Sequence, residues 1–182
     1  ELIALAKARP GELNYSSNGV GSSNHLAGAL FTSMTGVNIV HVPYKGTAQA
    51  VTDMVAGQVQ IRFGAAGPVT VHIPAGKLRA LAVTGVAPSA LFPGLPTVAA
   101  TVPGYESISA SSLLAPAKTP EAIIRRLNQE IVRFLNTPEG REKLTSVGQE
   151  VVASSPEALG AALKTEMTQM GKVIKELGIR AD

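Results

Sequence analysis

A hydroxyl- and glycine-rich segment is the part of the sequence whose residue types are best suited to chemistry. Residues 16–25 run Ser-Ser-Asn-Gly-Val-Gly-Ser-Ser-Asn-His, between a predicted strand and the start of a predicted helix. Small residues let a ligand approach the backbone, and free amides at a helix N-terminus attract carboxylate or phosphate. A capped turn without a ligand has the same composition. Both interpretations stay open on composition alone.

The segment lacks the patterns of the common nucleotide-binding and catalytic loops. Gly19-Val20-Gly21 is followed by Asn24 where a dinucleotide fingerprint needs its third glycine, and the sequence has no Gly-x-Ser-x-Gly elbow. The three histidines lack a metal-binding spacing. His25, in the first helical turn, can either donate to an anion or cap. We therefore expect a site that holds an anion, with no catalytic residue, metal or cofactor.

Composition limits the classes of partner. The 182 residues carry 16 Lys and Arg against 13 Asp and Glu, a net charge of +3, and no cysteine. The basic residues are thinly spread, which argues against nucleic acid. Residues 80–105 are uncharged, but four prolines interrupt them, so we expect no direct membrane insertion. Only 6 charged residues lie in 13–117 and 19 in 118–182, which predicts a structural boundary near Lys118.

The elements that must position the loop alternate between strands and helices. Short β-branched runs predict strands at 13–16, 38–42, 59–63 and 78–83, separated by helices at 22–34, 47–55 and 69–73. This order predicts an α/β layer with a mostly parallel sheet, whose ligands lie at the carboxyl ends of the strands. A further strand is predicted at 107–114. An α/β enzyme domain that binds a phosphorylated or carboxylated substrate at the same loop is the alternative function.

The C-terminal third is predicted to be helical. Thr119, Thr137 and Ser155 are each followed by Pro-Glu, a combination in which a hydroxyl caps, proline fits the first turn and glutamate meets the helix dipole. Two apolar stripes, which begin at Ile123 and Leu159, form the predicted core faces of these helices. No sheet large enough to receive them is predicted downstream of residue 118, so we expect part of their partner surface to lie outside this chain.

Several segments together resemble a known family. They are His-Val-Pro-Tyr-Lys-Gly at 41–46, Asp-Met-Val-Ala-Gly-Gln-Val at 53–59 and Gly-Lys-Leu-Arg-Ala-Leu-Ala-Val-Thr at 76–84. With the loop at 15–26, they resemble the Bug family, the periplasmic solute-binding proteins of tripartite tricarboxylate transporters. The similarity extends over essentially all 182 residues in one register.

The resemblance implies a type II periplasmic-binding-protein-like fold of class α/β that closes like a clamshell on a small ligand. Residues 1–106 would form the second ligand-binding lobe, with a mostly parallel sheet, and residues 107–182 the C-terminal portion of the first lobe, with a strand and helices. The N-terminal part of the family would be missing. The implied function is that of a periplasmic receptor, not an enzyme, whose partners are a small organic carboxylate and the membrane transporter subunits.

The resemblance also implies the ligand-binding residues. In the family, the loop matching Ser17, Asn18, Gly19, Gly21, Ser22 and Ser23 holds a carboxylate through backbone amides, hydroxyls and ordered waters; His25 belongs to the same segment. A second loop follows Phe63, where relatives often carry Asp-Asn and this chain has Gly64, Ala65 and Ala66. That departure predicts a simpler or more apolar acid. We expect amides and hydroxyls, rather than a buried cationic side chain, to supply the binding energy.

Overall fold

A computed structural model describes residues 1–180 of the chain. Its elements follow the order helix, strand, helix, strand, helix, strand and then helices only. They are α1 (Leu2–Ala8), β1 (Asn14–Ser17), α2 (Ser23–Thr35), β2 (Val40–Pro43), α3 (Thr47–Val55), β3 (Ile61–Arg62), two 3-10 segments (Gly67–His72 and Val98–Ala100), α4 (Glu121–Leu135), α5 (Pro138–Ser146) and α6 (Pro156–Glu176).

The three strands form one parallel sheet with β1 at its centre, in the order β2-β1-β3. Tyr15 pairs with His41 on one side and Ile61 on the other, and Ser16 pairs with Arg62. Parallel strands place their carboxyl ends at one edge of the sheet, so the loops that follow β1 and β3 start side by side. The predicted α/β class with a parallel sheet is confirmed.

The core lies between this sheet and α2. Helix α2 buries Ala27, Gly28 and Phe31 against the sheet, and the ring of Tyr15 packs directly on its backbone, since a Cβ at Gly28 would lie 2.3 Å from Tyr15 Cε2. The hydroxyl of Tyr105, a residue only 1% exposed, donates to the carbonyl of Ala27 at 3.0 Å. The hydroxyl- and glycine-rich segment at 16–25, called the glycine loop below, therefore joins a strand and a helix that both belong to the core.

Two predicted strands are wrong for the described residues. Residues 78–83 make a single bridge, in which Val83 N–H donates to Pro96 O and Val83 O accepts from Val98 N–H, both at 2.9 Å. Residues 107–114 form no strand. An extended apolar segment becomes a strand only beside a neighbour that shares its hydrogen bonds, and these segments find almost none here. Strand β3 is likewise shorter than the predicted 59–63.

The C-terminal helices begin largely as predicted, but their apolar faces are open. The hydroxyls of Thr137 and Ser155 each accept from an amide three residues on, at 3.1 Å, which confirms these two caps. The Thr119 cap is wrong, because its hydroxyl donates to Pro116 O instead and Pro120 precedes α4. Leu127 is 47% exposed and Met167 74% exposed. Among residues 1–180, no helix is long and apolar enough to cross a membrane.

Candidate functional site

The loop between β1 and α2 is held in a shape that requires its glycines. Gly19 and Gly21 have φ of +119° and +76°, in the region that L side chains rarely adopt. Ser22 is the N-cap of α2, and its hydroxyl donates to Gly19 O at 2.7 Å while accepting from His25 N–H at 3.4 Å. The loop therefore returns on itself and delivers the chain to the helix N-terminus at the carboxyl edge of the sheet.

Ser17 points into the protein. The residue is fully buried, its Oγ lies 2.6 Å from His41 Nε2, and it accepts from the amide of Gly19 at 3.1 Å. This hydroxyl is used to fix the loop, so its effect on a ligand would come through loop shape. In contrast, Asn18, Gly21 and Ser23 are exposed, with Gly19 and Ser22 half-buried.

His25 also orders the loop. Its Nδ1 accepts from the amide of Gly21 at 3.0 Å, so the neutral ring carries its proton on Nε2. The ring stacks on that of His41 at 3.9 Å, with an angle of 9° between the planes. Burial lowers the pKa of both imidazoles; the pKa of His41 falls to about 4, with repulsion from His25 as a second cause. Of the two roles predicted for His25, the structure shows the structural one.

The pair Ser17–His41 has the atoms of a hydrolytic dyad but not its setting. Among the described residues, no carboxylate bonds to His41, and the hydroxyl has no exposed surface from which to attack a substrate. The same part of the chain contains no group of three His, Cys, Asp or Glu that could hold a metal ion. A nucleophile must reach its target, and the buried Ser17 hydroxyl does not. The geometry therefore suits holding a ligand rather than reacting with it.

The second predicted loop joins the first at one point. The side-chain amide of Asn24, in the first turn of α2, donates to the carbonyl of Phe63. A Cβ at Gly64 would lie 2.3 Å from Asn24 Nδ2, so Gly64 lies against the helix start. Ala65 is exposed, and Ala66 leads away towards Gly148. The structure thus brings residues 17–25 and Gly64 together and places Ala65 and Ala66 further along the loop.

A protein-family model gives the class of this molecule. Residues 1–179 match the family described as tripartite tricarboxylate transporter family receptor. The chain belongs to this family. A curated relative from Pseudomonas sp. (strain P51), described as a UPF0065 protein in the tcbD-tcbE intergenic region, is 35% identical over 100% of this chain and 55% of its own length. The chain therefore spans about half the length of that relative.

Solved structures of similar proteins agree with the family. One, of an R. palustris protein with adipate, is 38% identical with a TM-score of 0.87, and the match covers 98% of this chain and 60% of that one. Another, described as periplasmic binding protein BugD, is 28% identical with a TM-score of 0.78 over 100% of this chain and 62% of that one. The resemblance to the Bug family and the periplasmic-binding-protein-like fold are confirmed. The family consists of solute-binding receptors, so the enzyme alternative does not hold.

Reasoning from sequence missed several contacts of the loop, above all that of Arg62. Arg62, the last residue of β3, donates from Nη2 to Asn18 Oδ1 at 3.0 Å, and burial lowers its pKa. The sequence did not place this cationic side chain beside the loop. A signal was available, because Arg62 is the only Lys or Arg between 46 and 76 and ends a strand beside the loop. The sequence also places His41 in a strand as a hydrogen-bonded residue, which the structure confirms, but it identifies neither Ser17 as its partner nor the contact of Asn24 with Phe63, since these contacts span 24 and 39 positions.

Proposed function

We propose that the full-length protein captures a small organic carboxylate in the periplasm and delivers it to the membrane subunits of a tripartite tricarboxylate transporter. It would do so without catalysis or a cofactor. The observation that carries this proposal is the glycine loop at the N-terminus of α2. The R. palustris neighbour at 38% identity was solved with adipate, which supports a carboxylate as the ligand class.

The first turn of α2 supplies the donors for a carboxylate. Amides at the start of an α-helix have no intrahelical acceptor, and here the amide of His25 is satisfied by Ser22 Oγ, which leaves those of Ser23 and Asn24 for a ligand. The helix dipole adds positive potential at the same point. Ser23 is exposed and Ser22 half-buried, so their hydroxyls border the space next to these amides. Asn18, Gly19 and Gly21 complete the proposed site.

The remaining proposed contacts come from the loop after β3 and from closure of two lobes. Gly64, Ala65 and Ala66 would border the site without side-chain hydrogen bonds, which favours a ligand with a simple or apolar body. We assign residues 1–106 to one lobe and 107–182 to part of the other. Hinge closure would then bury the carboxylate and expel water, which strengthens each amide contact.

A calorimetric panel tests the ligand class. We expect the full-length protein to bind at least one member of a series of mono-, di- and tricarboxylates of two to eight carbons, with adipate as the first compound. Titrations with AMP and NADH serve as controls for a nucleotide site. Failure of every carboxylate would overturn the proposal, and tight binding of AMP or NADH would then indicate a nucleotide site.

The loop itself is tested by removing its hydroxyls. We expect Ser22→Ala combined with Ser23→Ala to weaken binding of a carboxylate from the panel about tenfold or more. Ser23 would lose a charge-assisted hydrogen bond worth roughly 1.5–3 kcal/mol, and Ser22 would lose the bond to Gly19 O that fixes the loop. Ser155→Ala, which removes a similar cap from α6, is the matched control and should leave the affinity unchanged. Equal affinity of the double variant and the parent would remove these hydroxyls from the site.

Delivery and location need a cellular readout. We expect the protein in the periplasmic fraction of its host, and uptake of the bound carboxylate to fall when the gene is deleted and return when it is restored. The double variant at Ser22 and Ser23 should restore uptake poorly at low substrate concentration. Uptake unaffected by the deletion would contradict a role in delivery.

A further inference from the structure

The guanidinium of Arg62 lies beside the glycine loop with much of its hydrogen-bonding capacity unused. Its Nη2 donates to Asn18 Oδ1, while Nε and Nη1 are buried and have no hydrogen-bond partner among the described residues. Ser16, its register partner on β1, is fully buried and has an equally unpartnered Oγ. Three polar atoms at neighbouring positions of one sheet face therefore have no partner in residues 1–180.

This arrangement is expensive in a protein that holds nothing there. A guanidinium keeps its charge at every physiological pH, and those of its N–H donors that are buried without an acceptor lose the free energy of hydration. The two acidic residues within 13–117 do not compensate, since neither Asp53 nor Glu106 forms an ion pair with Arg62 in the described part of the chain. An anionic acceptor that arrives from outside would recover this cost.

Gly64 lies between the guanidinium of Arg62 and the start of α2. A Cβ at this position would lie 3.4 Å from Arg62 Nε and 2.3 Å from Asn24 Nδ2, so any other residue would place a side chain against the guanidinium. Gly64 is exposed, and it offers no acceptor of its own beyond the backbone. The guanidinium of Arg62 thus lies next to a residue without a side chain, at the same edge of the sheet as the loop at 17–25.

We infer that Arg62 is a ligand-recognition residue that pairs with the carboxylate held by the glycine loop. The inference rests on the proposed function and adds a charged donor to its amides and hydroxyls. The bond to Asn18 keeps the guanidinium beside the loop, so both address one carboxylate group. Nε and Nη1 are covered in the ligand-free chain, so the inference requires the side chain to turn about its torsions until one of them faces the ligand.

Affinities of two variants in the full-length protein test this role. Arg62→Gln should weaken adipate about ten- to hundredfold, since it removes a charge-assisted bond, and should weaken hexanoate by a similar factor because one carboxylate is involved. Arg62→Lys keeps the charge but not the planar fork, so it should recover part of the loss. Affinities for both acids within twofold of the parent in Arg62→Gln would overturn the inference. Failure of the parent to bind any carboxylate of the panel would instead overturn the proposed function, and this inference with it.

A pair of substitutions at Gly64 supplies a readout without ligand. Gly64→Asp and Gly64→Asn place side chains of equal size in the same space, but only aspartate offers Arg62 an anionic partner. In the ligand-free protein we expect the aspartate variant to have the higher Tm, and this advantage to vanish when Arg62→Gln is added. The aspartate variant should bind adipate at least tenfold more weakly than the asparagine variant. Equal Tm and equal affinity in the two variants would show that Arg62 has no open acceptor position.

Discussion

The α/β part of the chain and its C-terminal helices are both amphipathic, but they bury their apolar residues to very different extents. Helix α2 buries six residues, three of them the hydrophobic Ala27, Ala29 and Phe31, of which Phe31 is 5% exposed. Helix α4 has a stronger apolar stripe and buries none, and α6 buries only Val173. The stripe of a helix therefore shows that the helix needs a partner, whereas burial shows whether the described residues provide one.

The difference in burial also distinguishes the candidate site from the C-terminal helices. The loop at 17–25 is supported by the buried region, where the two histidine rings, Tyr15 and Asn24 fix its backbone. The open faces of α4 and α6 leave room for the additional length that the relatives have. In our proposal the loop at 17–25 stays rigid while the two lobes close on the ligand.

The largest expected difference between the two regions is in the cost of deleting a side chain. Phe31→Ala should lower the free energy of unfolding by about 3–5 kcal/mol, because it empties a packed core position. Met167→Ala, at a residue 74% exposed, should change it by less than about 0.5 kcal/mol in the 182-residue chain. Urea denaturation followed by circular dichroism gives both values.

Met167→Ala also tests whether the exposed face of α6 is covered in the full-length protein. In the full-length protein, Met167→Ala should cost about 2 kcal/mol or more if the additional chain covers α6. A negligible cost in both forms would show that this face of α6 is a true surface, and our assignment of residues 107–182 to an incomplete lobe would fail.

Glycine-to-alanine changes sharpen the comparison with a smaller effect. Gly28→Ala should destabilise the protein by about 1–3 kcal/mol, since the new methyl would lie 2.3 Å from the Tyr15 ring. Gly171→Ala, in α6 with no atom within 4 Å of the added carbon, should stabilise it by about 0.5–1 kcal/mol through helix propensity. Shifts of Tm in opposite directions are the expected result; a stable Gly28→Ala would contradict the close packing of β1 on α2.

Cap deletions should have similar effects on stability in both regions. Ser22→Ala and Ser155→Ala each remove a hydroxyl that accepts a hydrogen bond from a backbone amide at a helix start. Each change should lower the free energy of unfolding by about 1 kcal/mol. Chemical denaturation checks this equality. A loss several times larger for Ser22 would mean that its bond to Gly19 O, at 2.7 Å, supports the whole loop and not only the helix.

The smallest expected effect is a dependence of stability on pH confined to the α/β part. His41 has its pKa lowered to about 4, against about 6.5 in an unfolded chain. Well above pH 6.5 the His41 imidazole is neutral in both the folded and the unfolded protein. As the pH falls from 6.5 towards 4, the unfolded protein binds the proton first, so the free energy of unfolding declines. His41 is only half-buried, which limits the size of the effect.

The measurement is the free energy of unfolding at pH 7.0, 6.0 and 5.0 for the parent and His41→Asn. We expect a decline in the parent and a flatter profile in the variant. No histidine occurs in 118–182, and the pKa of Glu139, lowered by the hydrogen bond and charge of Lys143, keeps that carboxylate ionised over this range. Identical profiles for parent and variant would show that His41 is not shielded.

Much of the local structure followed from residue type. The helix at 47–55 was predicted with its observed bounds, the turn at Gly36 ends α2 with φ of +65°, and two of three Pro-Glu helix starts are capped by the expected hydroxyl. Caps and helical glycine turns depend on neighbours within four positions, so sequence specifies them. The strands at 78–83 and 107–114 failed for the opposite reason, because a strand depends on a neighbour that sequence does not identify.

The candidate site divides in the same way. The sequence by itself determined the glycine loop, the helix N-terminus beside it and the scarcity of charge around it, since all three are contiguous properties of the chain. Only the tertiary structure decided that Ser17 faces His41, that His25 stacks on the same ring, and that Arg62 stands beside Asn18. These contacts join residues 16 to 44 positions apart, and the parallel register of β1, β2 and β3 is the physical reason that they meet.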